Sequence, residues 1–231
     1  VVELFIKTSA KEGVAIFRIF DALNDIDNIE SSITFARKQD TDAQGTISYT
    51  TSPIHNLNYW LKLAKNIEDI GASSLAIKDM AGLLRPKTAY TLIKKLKKNL
   101  NIPIHLHTHS TTGLADATNF KAFEAGVDNI DTSISSFSNL YAHTATESMI
   151  AMMYDNQSSP FNNELLTEIS KYFENIRKNY SKYEGSMKGI DVKMLTNQVP
   201  GGMLSILEKQ LVDLKKQHKL SLIHISEPTR Q

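Results

Sequence analysis

The chain has 231 residues, of which 22% are charged, and a formal net charge of +1. This balance creates no single-sign field of the kind that marks a nucleic-acid or membrane-surface protein. The absence of cysteine excludes disulfides and thiolate metal sites, which leaves histidine, carboxylate or modified lysine as metal ligands. No apolar run reaches the roughly 20 residues of a membrane span, and no signal-peptide pattern opens the chain. We therefore expect a cytoplasmic protein that does not bind nucleic acid. The length is that of one sizeable domain.

The first predicted element is an amphipathic helix that is already under way at Val1. Its apolar residues include Val2, Leu4 and Phe5, and neither an initiating methionine nor a helix cap precedes them. We therefore expect an N-terminally truncated sequence.

Five short apolar runs follow this helix at intervals of roughly 25 to 30 residues, the length of one strand, one loop and one helix. The runs are Ala15–Asp21, Gly45–Tyr49, Ser74–Lys78, Pro103–His107 and Asn129–Ile134. Helical periodicity fills the intervals, and Gly71 and Gly126 lie where helices are expected to end. This alternation predicts a parallel sheet, either a barrel or a doubly wound fold. The lack of Gly-x-Gly-x-x-Gly after the first visible strand disfavours dinucleotide binding.

Polar side chains close each of the five runs. They are Asp21 with Asn24, Tyr49 with Thr50, Lys78 with Asp79, His107 with His109, and Ser135 with Ser136. Because all strands of a parallel barrel end on the same face, we expect these groups to converge there. That face is the candidate active site.

His107 and His109 are two residues apart at a strand end, so their side chains are expected on the same side, where they can share one metal ion. His105 lies on that side too, one step further into the barrel. The spacing alone leaves open that the pair merely packs or hydrogen-bonds.

Lys78 closes an apolar strand, where a buried and unpaired ammonium group would be costly. It fits a Schiff-base nucleophile, a general base, or a carbamylated lysine that offers a carboxylate-like oxygen to a metal. An ion pair with the neighbouring Asp79 is the simpler alternative. Asp21 and Asp131 are likewise open to two interpretations, substrate binding or pairing with a basic residue.

The C-terminal part of the chain is predicted to be helical up to Lys219. The Gly201-Gly202 pair after Pro200 indicates a turn before a helix, since no Lys-Ser/Thr follows as it would in a phosphate-binding loop. Residues 220–231 continue neither the helical period nor any barrel element. We predict that they are an aberrant tail without function.

Six sequence blocks resemble the biotin-dependent carboxyltransferases, a family that includes a pyruvate carboxylase subunit, the oxaloacetate decarboxylase α subunit and the transcarboxylase metal subunit. The blocks are Phe17–Asn24, Tyr49–Pro53, Ile77–Leu84, His107–Gly113, Asp131–Ser136 and Val199–Met203. The resemblance runs from Val1 to about Lys219, and its Lys-Asp-Met-Ala-Gly and His-Thr-His blocks together are highly specific. The segment Asn139–Thr144 departs from the Gly-Thr-Ser-Gln-Pro that many members carry, which leaves the substrate preference open.

The resemblance implies a (β/α)8 TIM barrel followed by a helical region. The barrel is expected to be N-terminally truncated, so that the five visible strands are about its fourth to eighth. The expected divisions are a partial carboxyltransferase barrel at residues 1–150, the helical region at 151–219 and the tail at 220–231. The aspartate that serves as the fourth metal ligand in the family belongs to the first barrel strand and has no counterpart here.

The resemblance also implies a chemistry. Lys78 is expected to be carbamylated and catalytic, and to bind Zn, Mn or Co together with His107 and His109. In the family, an arginine and a glutamine that bind substrate belong to the three missing strands. From the first visible run of this chain, Arg18 and Asp21 are expected to bind the substrate. The reaction would move a carboxyl group between carboxybiotin and pyruvate or oxaloacetate through a metal-stabilised enolate.

Biotin is expected on a separate domain or subunit, because the chain contains no Ala-Met-Lys-Met biotinylation motif. The implied partners are a biotin carboxyl carrier domain, biotin carboxylase or membrane decarboxylase subunits, and further copies of the chain in a homo-oligomer.

Two alternative functions stay open. One is an aldolase-type lyase or Claisen synthase of the related barrel group, which typically reads His-x-His-Asn-Asp and lacks the strand-end lysine. The other is an inactive fragment, because an open five-stranded barrel exposes two unpaired edges.

Overall fold

The computed structural model describes three stretches of the chain, residues 1–155, 159–198 and 201–214. They fall into two compact units. The first unit consists of Val1–Asp79, Leu84–Thr108 and Ala117–Asp131, and the second of Met80–Leu83, His109–Asp116 and the chain from Thr132 onward. The predicted tail at residues 220–231 lies outside the described residues.

A five-stranded parallel sheet forms the centre of the first unit, and its strands are ordered as they occur in the chain. The strands are β1 (Ile16–Phe20), β2 (Asp42–Ser48), β3 (Ser74–Asp79), β4 (Ile104–Thr108) and β5 (Asn129–Ile130). The helices that alternate with them are α1 (Val2–Lys11), α2 (Ile26–Arg37), α3 (Leu57–Asp69), α4 (Pro86–Asn99) and α5 (Ala115–Glu124). The predicted βα alternation is therefore confirmed. In the described stretches no helix combines the length and apolar character that crossing a bilayer requires.

The helices begin and end where local chemistry favours it. Asp25 and Asn56 cap α2 and α3, each accepting a backbone N–H at 3.1 Å, and Pro86 opens α4, where a missing N–H costs nothing. Gly71 and Gly126 follow α3 and α5 with positive φ angles of 93° and 90°. Glycine adopts this left-handed conformation without strain, so the predicted helix ends are confirmed.

One side of the sheet packs against the helices. Leu75 and Ile77 of β3 and Leu106 of β4 point to that side, and all three are fully buried. Helix α3 contacts β2 and β3 and contributes the buried side chains of Trp60 and Ile67. Removal of this apolar surface from water is the main favourable contribution to folding of the unit.

The sheet is strongly curved. β1 and β5 are the first and last strands in its order, and in a flat sheet four inter-strand spacings of about 4.8 Å would separate them by about 19 Å. Arg18 of β1 nevertheless donates a hydrogen bond of 2.6 Å to the carboxylate of Asp131, which directly follows β5. Such curvature is characteristic of a barrel wall, in agreement with the predicted barrel.

The fifth strand is shorter than predicted. The apolar run from Asn129 to Ile134 was expected to form one strand, but only Asn129 and Ile130 pair with β4. Ser133 instead pairs with Ala145, donating to the Thr144 carbonyl at 3.0 Å. The backbone changes partner after Asp131, and this change ends the strand.

The second unit is mainly helical. Its helices are α6 (Thr146–Tyr154), α7 (Asn163–Lys178), α8 (Met194–Asn197) and α9 (Gly201–Asp213), with 3-10 turns at Ser135–Phe137 and Ser181–Tyr183. Helix α9 starts at Gly201, so the glycine pair lies in its first turn and does not form the turn expected before the helix. Residues 215–219 of the predicted helical region are not described, and the predicted boundary at residue 150 stays a prediction.

Replacing Ile77 with alanine should lower the free energy of unfolding by about 2–5 kcal/mol, because its side chain is 0% exposed in the middle of the sheet. The matched control is Ile16→Ala in β1, where the side chain is 58% exposed and the expected loss is under about 1 kcal/mol. Urea unfolding followed by circular dichroism measures both. Equal losses in the two variants would contradict the burial described for β3.

Candidate functional site

The side of the sheet opposite the helices carries polar residues. Alternation along β4 places His105 and His107 there, between the buried apolar residues of the same strand. On the neighbouring strands, Arg18 Nε donates to Gln44 Oε1 at 2.6 Å, and Gln44 Nε2 donates to Ser74 Oγ at 3.1 Å. A hydrogen-bonded polar layer thus lines the concave side of the sheet.

The carboxylate of Asp131 connects this layer. One of its oxygens accepts hydrogen bonds from Arg18 Nη1 at 2.6 Å and His107 Nδ1 at 2.7 Å, and the other accepts from His105 Nε2 at 2.5 Å. Burial alone would raise the pKa of Asp131, but the bonds from the two histidines and Arg18 outweigh it and hold that pKa well below its usual range. Asp131 was predicted either to bind substrate or to pair with a basic residue, and in the structure it pairs with basic residues.

Lys78 is the last residue but one of β3 and lies beside His107. The two residues are register partners on adjacent strands, and Lys78 Nζ lies 3.6 Å from the centre of the Phe20 ring. Burial, followed by the charge of Arg18, lowers the pKa of Lys78 from its ordinary value. A lower pKa increases the fraction of neutral amine, the form of lysine that reacts with electrophiles.

Asp79 points to the opposite side of the sheet from Lys78. It is fully buried, and its Oδ2 accepts hydrogen bonds from the Leu84 N–H at 2.9 Å and from Thr108 Oγ1 at 2.7 Å. These contacts tie the end of β3 to the end of β4. Asp79 therefore has a structural role of its own.

Asp21, predicted to bind substrate, lies on the loop that follows β1. Its carboxylate accepts the backbone N–H groups of Leu23 at 2.8 Å and Asp25 at 3.1 Å and the side-chain amide of Asn28 at 3.2 Å. Hydrogen bonds from Asp25, then Leu23, lower the pKa of Asp21. The carboxylate holds the loop in shape, and its role toward substrate stays a prediction, as does that of Arg18.

In the second unit, His109 lies against a loop that carries another histidine. His109 Nδ1 donates to the backbone carbonyl of Tyr141 at 2.5 Å. The ring of His143 contacts that of His109, with centroids 4.6 Å apart and the planes tilted by 47°. His109 follows His107 along the chain with only Thr108 between them.

His107 and His109 share one chemical feature. In each ring, Nδ1 is hydrogen-bonded to an oxygen acceptor. A neutral imidazole that carries its proton on Nδ1 has its lone pair on Nε2, which can then bind a metal. Histidines that bind metals almost always donate their other N–H to a carboxylate or carbonyl in this way. Imidazole nitrogens are ordinary ligands of divalent zinc. The residues present therefore fit a divalent ion.

The structure thus places the predicted residues in distinct settings. Lys78, His107 and Arg18 lie together in the first unit, His109 belongs to the second, and Asp21 stabilises a loop. Sequence reasoning gave Asp131 no specific partner and gave His143 no role. The spacing of Asp131 after a strand was a usable signal, whereas the contact of His143 depends on a loop conformation that no periodicity encodes.

The chain has sequence relatives among known proteins. Residues 1–172 match the HMGL-like family. A pyruvate carboxylase subunit of Methanocaldococcus jannaschii is 43% identical over 213 residues, which cover 91% of this chain and 38% of that protein. The methylmalonyl-CoA carboxyltransferase 5S subunit of Propionibacterium freudenreichii subsp. shermanii is 42% identical over 214 residues, 91% of this chain and 42% of that protein.

A solved structure agrees with these sequence relatives. The carboxyl transferase domain of Rhizobium etli pyruvate carboxylase, determined with pyruvate, matches with a TM-score of 0.90 at 32% identity. The match covers 94% of this chain and 38% of that one, so the chain spans about two fifths of the length of its relatives. The predicted barrel fold and the resemblance drawn from the sequence blocks are confirmed.

Replacing Asp131 with asparagine should lower the free energy of unfolding by about 1–3 kcal/mol, because Arg18 and two imidazoles lose their anionic acceptor. The control Asp42→Asn removes a carboxylate that is 59% exposed and 3.9 Å from Arg37, and its expected effect is under about 0.5 kcal/mol. Urea unfolding at neutral pH compares the two variants with the wild type.

The difference in stability between the wild type and Asp131→Asn should depend on pH. The folded-state pKa of Asp131 is depressed, so its stabilisation is present above the ordinary carboxyl pKa of about 4 and is lost as the pH falls below it. The difference in unfolding free energy between wild type and Asp131→Asn should therefore shrink in acid. A difference that grows as the pH falls would contradict the described network.

Proposed function

We propose that this chain, which belongs to the HMGL-like family, forms the metal-binding part of a carboxyltransferase that moves a carboxyl group between carboxybiotin and pyruvate or oxaloacetate. The observation that carries the proposal is the His107 and His109 pair at the end of β4, with Nδ1 of each ring bonded to an oxygen. This arrangement prepares both rings as Nε2 ligands.

The third proposed ligand is Lys78 in its carbamylated form. Its neutral amine would add to carbon dioxide to give a carbamate with release of one proton, and the carbamate would offer an anionic oxygen ligand. Two features support this assignment: Lys78 is the register partner of His107, and its neighbour Asp79 faces Thr108 rather than the lysine. When bound, a divalent ion would polarise the carbonyl oxygen of the 2-oxo acid and favour the enolate.

Other residues of the chain would orient the metal ligands and bind the substrate. Asp131 and the Tyr141 carbonyl hold the two imidazoles in one tautomer and orientation. Arg18 offers a cation on the polar side of the sheet, where the carboxylate of a 2-oxo acid would find a complementary charge. Asp21, on the loop after the same strand, is proposed as a second substrate contact.

The proposed partners follow from the same assignment. Biotin would arrive on a separate carrier domain or subunit, since the chain has no biotinylation motif. Biotin carboxylase or membrane decarboxylase subunits and further copies of this chain complete the proposed assembly. Zinc, manganese and cobalt are the proposed metals, and a cytoplasmic location is proposed with them.

Replacing Lys78 with alanine should reduce metal affinity at least about tenfold and abolish carboxyl transfer, because one ligand oxygen is lost. Elemental analysis and biotin-dependent decarboxylation of oxaloacetate, in the protein that carries this chain, measure the two effects. The matched control is Lys95→Ala on the exposed side of α4, which should leave both unchanged. Metal content and turnover equal to wild type in Lys78→Ala would contradict the assignment of Lys78 as a ligand. That result would favour an aldolase-type lyase or Claisen synthase, which needs no lysine at this position.

Carbamylation itself has a direct signature. Protein equilibrated with ¹³C-bicarbonate should give a carbamate carbon resonance that is absent from Lys78→Ala and present in Lys95→Ala. Metal loading should strengthen the signal, because coordination stabilises the carbamate. A wild-type protein that binds metal fully without any carbamate resonance would exclude the proposed form of Lys78.

A further inference from the structure

The loop that precedes α6 is held in a tight conformation. Asn139 N donates to the His143 carbonyl at 2.7 Å, and Ala142 N donates back to the Asn139 carbonyl at 2.8 Å. Asn139 and Leu140 both have positive φ angles, 64° and 52°. A leucine in the left-handed region is strained, and strain of this kind persists where the surrounding contacts require it.

Those contacts come from the segment that follows β4. Ser110 N donates to the Ala142 carbonyl at 2.8 Å, and Thr111 Oγ1 donates to the Leu140 carbonyl at 3.1 Å. The loop is thereby fastened directly beside His109, which immediately precedes Ser110. One backbone bond and one side-chain bond therefore fix its position relative to that histidine.

The fastened loop supplies two groups to the same imidazole. The Tyr141 carbonyl accepts the Nδ1 proton of His109, and the ring of His143 contacts its face. One ring nitrogen of His143 lies within 4.8 Å of one of His109. Two nitrogens bound to one tetrahedral zinc at 2.0–2.1 Å are about 3.3 Å apart, so binding of both to one ion requires them to approach by at most about 1.5 Å.

We infer that His143 is an additional ligand of the divalent ion, an inference that rests on the metal site proposed at His109. It lies in the segment Asn139–Thr144, where this chain departs from the sequence of many carboxyltransferases. A further imidazole shifts the ligand set toward nitrogen. Such a set favours zinc or cobalt over manganese and magnesium, which prefer oxygen ligands.

The test is titration of the purified protein with Co²⁺ alone, followed by its visible absorption. His143→Gln should weaken Co²⁺ binding at least about tenfold and change the visible bands. The matched control is His55→Gln, a histidine that stacks on Trp60 in the first unit, and it should bind as wild type does. His109→Gln is the positive control and should lose binding.

A second variant adds a signal that a structural role would not produce. His143→Cys places a thiolate donor at the same position, and a sulfur-to-cobalt charge-transfer band should appear in the near ultraviolet. On wild-type protein, X-ray absorption of the zinc-loaded form should count three imidazoles. That measurement does not depend on the folding of any variant.

The outcomes separate the two proposals. If His109→Gln loses Co²⁺ while His143→Gln keeps the wild-type affinity and spectrum, or if X-ray absorption counts two imidazoles, His143 is not a ligand and the proposed function stands. If wild-type protein binds no Co²⁺, or His109→Gln binds it unchanged, the metal site fails and the inference fails with it.

Discussion

The pairing of Arg18 with Asp131 is the constraint on which the polar side of the sheet depends. These residues belong to opposite ends of the strand order, yet their side chains meet at 2.6 Å. A charge on the concave side of a curved sheet is costly unless it is paired and hydrogen-bonded. The pairing satisfies both groups, and it is compatible only with a sheet curved as a barrel wall is.

The same carboxylate sets the chemistry of β4. Asp131 accepts from His105 and His107 as well as from Arg18, so the interaction that holds the curved sheet also orients a proposed metal ligand. Loss of the carboxylate would therefore affect stability and ligand orientation together.

Sequence patterns predicted most strands and helices of the first unit but not their long-range contacts. The strand at Ser74–Lys78 and the helix ends at Gly71 and Gly126 follow from apolar runs and glycine positions, which are local. The sequence also singled out Lys78, His107 and His109, because unusual residues at strand ends are informative in any parallel barrel.

The features that sequence reasoning missed depend on tertiary structure. The early end of β5 reflects the competing backbone bonds between Ser133 and Thr144, which no apolar pattern distinguishes from continued strand pairing. The contact of His143 with His109 is made from a loop in which Asn139 and Leu140 have positive φ angles. A leucine gives no hint of that conformation, since its intrinsic preference opposes it.

Strand alternation places the neighbouring side chains of Lys78 and Asp79 on opposite sides of the sheet and so prevents an ion pair between them. An ion pair between them would hold the lysine as an ammonium ion, which cannot react with carbon dioxide. Alternation instead turns Asp79 to the helix side, where it accepts hydrogen bonds from Leu84 and Thr108, while Lys78 faces the polar side over the Phe20 ring. The carboxylate thus fixes the backbone from which the lysine projects, and the amine is left to the proposed chemistry.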